Sequence, residues 1–267
     1  MKTVNFLRVT TCVKPDANVL MYVENIRNDL QQYNIQFQLT ERKKRTIKSL
    51  FTNSTTPVLI IQKNGIYLYI SPDEKISYQE STMNIKFKEY KKNGVLPPLV
   101  QMIAEDENCT QRIADCTMGL GNDLMLMALT LPHAQFTAFE QNFYIHFTIK
   151  WSMHYYCNHI NRDLKQAFDR IQFQYGSVVH SKVAYDVYYV DCLYHNTIET
   201  SNINHLVKFV NNDEQNDDVL LDYVTSKYGK VVLRAEYNSP IIKDYGFIMS
   251  VRRNTVTHYG YLINKQH

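Results

Sequence analysis

Glycine is scarce in this chain, with eight among 267 residues. Two of them lie two positions apart in Asp115-Cys116-Thr117-Met118-Gly119-Leu120-Gly121-Asn122-Asp123. A short apolar run (Ile113, Ala114) precedes this stretch, and Leu124-Met125-Leu126-Met127-Ala128-Leu129 follows it as a helical run. A buried strand, a glycine turn and a helix N-terminus in that order make a place for a nucleotide-like ligand. Glycine lets the backbone come close to the ligand, and the unpaired N–H groups at the helix start face it.

The surrounding pattern predicts an α/β fold. From 112 onward strands and helices alternate: strand 112–116, helix 122–130, strand 135–140, helix 142–157, a helical turn region over 161–170, and strand 171–175. Strand 185–190, helix 215–227 and strand 230–234 follow. Alternation of this kind predicts a doubly wound parallel sheet. Two strand-like runs, 245–251 and 256–263, then break the alternation and add an antiparallel C-terminal hairpin.

Ahead of this lies a β-α-β-α-β-β pattern. It has a strand at 4–10, a helix after Pro15 carrying Val19, Leu20, Val23, Ile26 and Leu30, and a strand at 35–39. A hairpin follows, in which Asn64-Gly65 joins Val58-Leu59-Ile60-Ile61 to Ile66-Tyr67-Leu68-Tyr69-Ile70. The division expected is a small N-terminal α/β domain (1–72), a connector or lid (73–110) and a ligand-binding domain (111–267). In the connector, Leu99 to Ala104 can start a helix.

Composition narrows the function classes. Hydrophobic residues at 45% are enough for a sizeable core, and a net charge of +3 implies nucleic-acid binding only through a local patch. No apolar run reaches the length of a membrane span, and the N-terminus lacks a secretory signal pattern. The five cysteines (Cys12, Cys109, Cys116, Cys157, Cys192) form no C-x-x-C pair, which points to free thiols in a reducing cytoplasm. His154 and His159 make no metal motif, so no metal is expected. The basic segments 42–48 and 86–92, the second interleaved with Phe87 and Tyr90, and Arg252-Arg253 leave an RNA surface open.

The turn itself separates ligand classes. A dinucleotide fingerprint G-x-G-x-x-G needs a third glycine where this chain has Leu124, which disfavours an NAD-type oxidoreductase. Asp115-x-Thr117-x-Gly119-x-Gly121 instead resembles motif I of class I methyltransferases that use S-adenosylmethionine, and those enzymes end their sheet in a C-terminal hairpin. Glu140 closes the second strand, where a carboxylate can accept ribose hydroxyls. Gln141 and Asn142 then line the adenosine side, and Ser177 stands where such folds place a polar contact to adenine. Asp191-Cys192-Leu193-Tyr194 follows the fourth strand and resembles motif IV of amino-methyltransferases.

Taken together, residues 115–123, Phe139-Glu140-Gln141-Asn142 and 187–194 resemble the small-subunit ribosomal RNA guanine-N2 methyltransferases and their bacterial relatives, over about 75–263. The resemblance implies a Rossmann-like methyltransferase sheet with S-adenosylmethionine held by Asp115, Thr117, Gly119, Gly121, Asp123 and Glu140. It also implies that Asp191 orients an acceptor amine, that Tyr194 stacks on or bounds its base, and that the acceptor is RNA. Two features depart from the family. Tyr78 to Met83, leading to Lys86, replaces a His-Pro-Ser-Met-Ala segment before an arginine, and Cys192 replaces a proline. The alternative is a diverged module that binds cofactor or RNA without catalysis.

Overall fold

A computed structural model gives the fold and describes residues 6–160, 162–191, 217–252 and 255–264. The chain begins with a sheet of five strands: β1 (Phe6–Thr11), β2 (Gln36–Leu39), β3 (Val58–Gln62), β4 (Gly65–Tyr69) and β5 (Lys75–Ile76). Their order is β2-β1-β3-β4-β5, with β1 parallel to both β2 and β3. The Asn64-Gly65 hairpin forms as predicted, pairing Gln62 with Gly65 and Val58 with Tyr69. Helix α1 (Ala17–Gln31) starts where Asp16 accepts the Val19 N–H at 3.0 Å. It buries Val19, Tyr22, Val23, Ile26 and Leu30. Leu20, counted with the apolar face in the sequence, is half exposed, and Tyr22 takes the inward position. The single turn α2 (Ile47–Leu50) is capped by Thr46.

Two helices join the sheets. α3 (Ser81–Asn93) ends at Gly94, whose φ of 72° is the left-handed conformation of a helix C-terminus. The sequence alone predicts only a connector here, because the lysine-rich outer face masks Met83, Phe87 and Tyr90 at helical spacing. α4 (Pro98–Ile103) starts at Pro98, as a proline in a first turn permits.

The second sheet has seven strands: β6 (Arg112–Asp115), β7 (Gln135–Glu140), β8 (Ile171–Tyr175), β9 (Val187–Asp191), β10 (Gly229–Glu236), β11 (Ile248–Ser250) and β12 (Thr257–Asn264). The order is β11-β12-β10-β9-β6-β7-β8. β8, β7, β6, β9 and β10 run parallel, and β12 is antiparallel to both β10 and β11. The C-terminal hairpin therefore folds back so that its second strand lies inside its first. Helices α5 (Asn122–Thr130), α6 (Phe143–Ile160), α7 (Arg162–Phe168), α8 (Asp217–Thr225) and α9 (Pro240–Asp244) complete the layer structure. Local sequence pattern predicts neither α9 nor the shortness of β11. The chain order reverses direction between β6 and β9, which opens a crevice at their C-terminal ends.

α6 packs against β4 of the first sheet as well as β7 and β8 of the second. One continuous apolar cluster runs from Leu7, Val9 and Ile61 through Phe147 and Trp151 to Ala138 and Val232. Among the described residues, no helix is long and apolar enough to cross a membrane.

Candidate active site at the switch point

The glycine turn lies at the C-terminal end of β6, beside β9. Its backbone is held on three sides. Cys116 donates its N–H to the Tyr189 carbonyl (2.8 Å), Met118 to Phe139 (3.0 Å), and Gly121 to Met118 (2.9 Å). Gly119 and Gly121 have φ of 52° and 74°. At Gly121 a side chain would also displace its neighbours. An added Cβ would lie 2.5 Å from Met153 Cε and 3.2 Å from Ile149 Cγ2 on α6.

Four carboxyl groups gather around this turn. Asp115, almost fully buried, accepts the Thr117 N–H through Oδ1 (3.2 Å). Burial pushes its carboxyl well above the usual range against that hydrogen bond, and Asp123, Asp191 and Glu140 add to the shift. Glu140 is also buried. Its Oε2 accepts the Gly119 N–H (3.1 Å) and its Oε1 the Asn142 N–H (2.8 Å), so it ties the turn to the start of α6. Burial pushes its carboxyl up to about 7, although these amides and that of Gln141 pull the other way.

Asp123, in the first turn of α5, takes three donors: the Tyr189 hydroxyl (2.9 Å) and Arg234 Nη1 (3.3 Å) on Oδ2, and Lys86 Nζ (3.4 Å) on Oδ1. Asp191, at the end of β9, meets the same Arg234 Nη1 through Oδ2 (3.1 Å). Its N–H donates to Thr117 Oγ1 (2.8 Å), which links the fourth strand to the turn. Burial works against the charge of Arg234. Asp191, Tyr189 and Asp123 outweigh it and hold the guanidinium firmly protonated. Burial also raises the Tyr189 hydroxyl well above its ordinary value, with Asp123 and Asp191 adding to the effect.

The structure thus brings together Asp115, Thr117, Gly119, Gly121, Asp123, Glu140 and Asp191. Asn142 accepts the Ile145 N–H (3.2 Å) and caps α6, while Gln141 sits between it and Glu140. Ser177 follows β8 on the same edge of the sheet, and its hydroxyl accepts the Val179 N–H (3.3 Å) in a short 3-10 turn. Cys192 and Tyr194 lie outside the described residues. Sequence reasoning missed Arg234, Lys86 and Tyr189 as members of the cluster. A charged residue ending the apolar strand Val231-Val232-Leu233 was the available signal for Arg234.

A parallel sheet reversing at β6/β9 and closed by an inserted antiparallel strand, with this turn at the reversal, is the Rossmann-like fold of the methyltransferases. A solved structure of a SAM-dependent methyltransferase from Neisseria gonorrhoeae superposes with a TM-score of 0.57 at 13% identity, covering 96% of this chain and 95% of that one. Among curated proteins, the uncharacterised YpiP of Bacillus subtilis is 23% identical over 259 residues, which is 94% of this chain and 97% of its own length. No protein-family model matches the chain.

Proposed function

We propose that the chain is an S-adenosylmethionine-dependent methyltransferase acting on an amine of RNA. The observation that carries the reading is the glycine turn at the switch point of a methyltransferase-type sheet, ringed by Asp115, Asp123, Glu140 and Asp191. These residues fit the cofactor chemically. Its methionine end carries an ammonium and a cationic sulfur, which suit a crevice with more carboxyl groups than cations. A buried acceptor, Asn122 Oδ1 at the start of α5, has no partner among the described residues.

Each residue has a task in this reading. Glu140 uses its remaining lone pairs for the ribose hydroxyls while its amide bonds keep the turn in shape. Asp123 offsets the positive methionine end, Asp115 holds the turn in shape through the Thr117 N–H, and Thr117 holds the end of β9 against the turn. Asp191 orients the acceptor amine, and Tyr194, by resemblance, bounds its base. The bound cofactor supplies a methyl group on a cationic sulfur, open to in-line attack. The protein's contribution is then positioning and exclusion of water. Support for RNA comes from the sequence resemblance over 75–263 and from α3, whose Lys86 reaches the site while Lys88, Lys91 and Lys92 stay exposed.

A second reading, a module that binds without transferring, is favoured by one contact: the Arg234 ion pair occupies an oxygen of Asp191. Incubation with methyl-labelled S-adenosylmethionine and total RNA from cells lacking the chain separates the two. We expect label in the RNA, lost in Asp191→Ala. Absence of label with retained cofactor binding selects the binding module.

A further inference from the structure

One nitrogen, Arg234 Nη1, lies 3.1 Å from Asp191 Oδ2 and 3.3 Å from Asp123 Oδ2, so a single cation is shared by the acid of the fourth strand and the acid of the glycine-turn helix. Arg234 comes from β10, at the register position opposite Asp191 and Tyr259. Its side chain is 27% exposed, and those of Asp123 and Asp191 are 16% and 19%, so water screens the group only in part. Lys86 adds a second, longer contact to Asp123 from the other side. Near this crevice the electrostatic balance is therefore set by a half-buried guanidinium, with Lys86 beside it, against several carboxyl groups.

We infer that Arg234 is a charge-balancing residue that sets how strongly the site prefers cationic S-adenosylmethionine over S-adenosylhomocysteine, whose sulfur is neutral. The inference rests on the proposed function. The two ligands share their adenosine and amino-acid parts and differ at sulfur by a methyl group and a positive charge. A general loosening of the pocket weakens both alike. A change in the local field acts on the charged groups common to both ligands alike and on the sulfonium in one only, so it moves the ratio. Removing Arg234 leaves Asp123 and Asp191 less compensated, which makes the crevice more attractive to the cation. With Arg234 in place, the two acids stay paired and aligned, and the crevice is a poorer trap for cations at large.

The test is calorimetric titration of the full chain with both ligands at low ionic strength, in wild type, Arg234→Gln, Arg234→Lys and Asp191→Asn. In Arg234→Gln we expect the ratio of dissociation constants, homocysteine form over methionine form, to rise by about tenfold, a size reached by one unit charge at partly screened distances. Arg234→Lys keeps the cation and leaves the ratio within about twofold of wild type on the same grounds. Asp191→Asn removes a negative charge and lowers the ratio. An unmoved ratio in Arg234→Gln overturns the inference, whatever happens to the two affinities together. Should Arg234→Gln fail to fold, an unmoved ratio in Asp191→Asn overturns it equally. Binding of neither ligand by wild type overturns the functional reading itself and this inference with it. Binding of both with a fixed ratio overturns the inference alone.

Discussion

At the scale of single residues, Glu140 and Gly121 do more than the motif implies. Glu140 is a structural clasp as well as a candidate ribose acceptor, because its two oxygens already hold Gly119 and Asn142. With its carboxyl pushed up to about 7, the charged acceptor form fills in as pH rises through neutrality. We expect S-adenosylhomocysteine affinity to rise by about tenfold between pH 6 and pH 8, and to become flat in Glu140→Gln; calorimetry at several pH values checks it. Gly121→Ala forces a Cβ into Met153 at a φ of 74°. Chemical denaturation should read a loss of about 1–3 kcal/mol. The turn was legible in the sequence because its residues are neighbours along the chain and their spacing is the signal. Arg234 and Lys86 were not. They reach Asp123 from β10 and α3, and the three-dimensional packing that delivers them leaves no mark in local spacing.

Among the elements, α6 carries the most. It is apolar nearly all round, with Ile145, Phe147, Ile149, Trp151 and Met153 buried, because it packs against both sheets. The sequence gives its helical extent within a few residues, but not what its second face meets. That face is fastened by polar contacts from the first sheet's layer. Lys150 Nζ donates to both oxygens of Asp29 (2.9 and 2.8 Å) and Trp151 Nε1 to Oδ2 (2.8 Å). Tyr155 donates to the Lys63 carbonyl (2.6 Å), and Ser152 accepts the Tyr78 N–H (2.8 Å). Asp29→Ala strands a mostly buried ammonium and an indole N–H. We expect a cost of about 2–3 kcal/mol in denaturant unfolding. Asp169→Ala breaks the half-exposed pair with Lys165 and should cost under about 0.5 kcal/mol, a matched control. α3 is the opposite case: its sequence looks like a solvated basic run, and its helical nature is set by the few residues that touch α5.

For the whole molecule, the first sheet and the switch-point sheet share one apolar cluster, so the stability of either depends on the seam. His146 sits fully buried in that seam, its Nε2 3.0 Å from the Tyr33 hydroxyl. Burial, with a further push from Lys150, lowers its pKa to about 3. Because the folded value lies below the unfolded one near 6.5, its contribution to stability is full above pH 6.5 and is lost as pH falls towards 3. The slope approaches about 1.4 kcal/mol per pH unit in that window. His146→Gln should remove this slope, read by urea unfolding from pH 7 to pH 4. The fold class was legible throughout, since alternation of strands and helices with a terminal hairpin is a chain-order property. The insertion of β12 between β10 and β11 was not, because strand order depends on pairing across the sheet.

In the proposed function, the crevice ringed by Asp115, Asp123, Glu140 and Asp191 binds the methyl-donor nucleoside. Calorimetric titration of the folded full chain with S-adenosylhomocysteine tests it most directly. Saturable binding of one molecule per chain is expected, weakened at least about tenfold in Glu140→Ala, which removes a carboxylate able to accept ribose hydroxyls. No heat at millimolar ligand, with the protein shown to be folded, would contradict it.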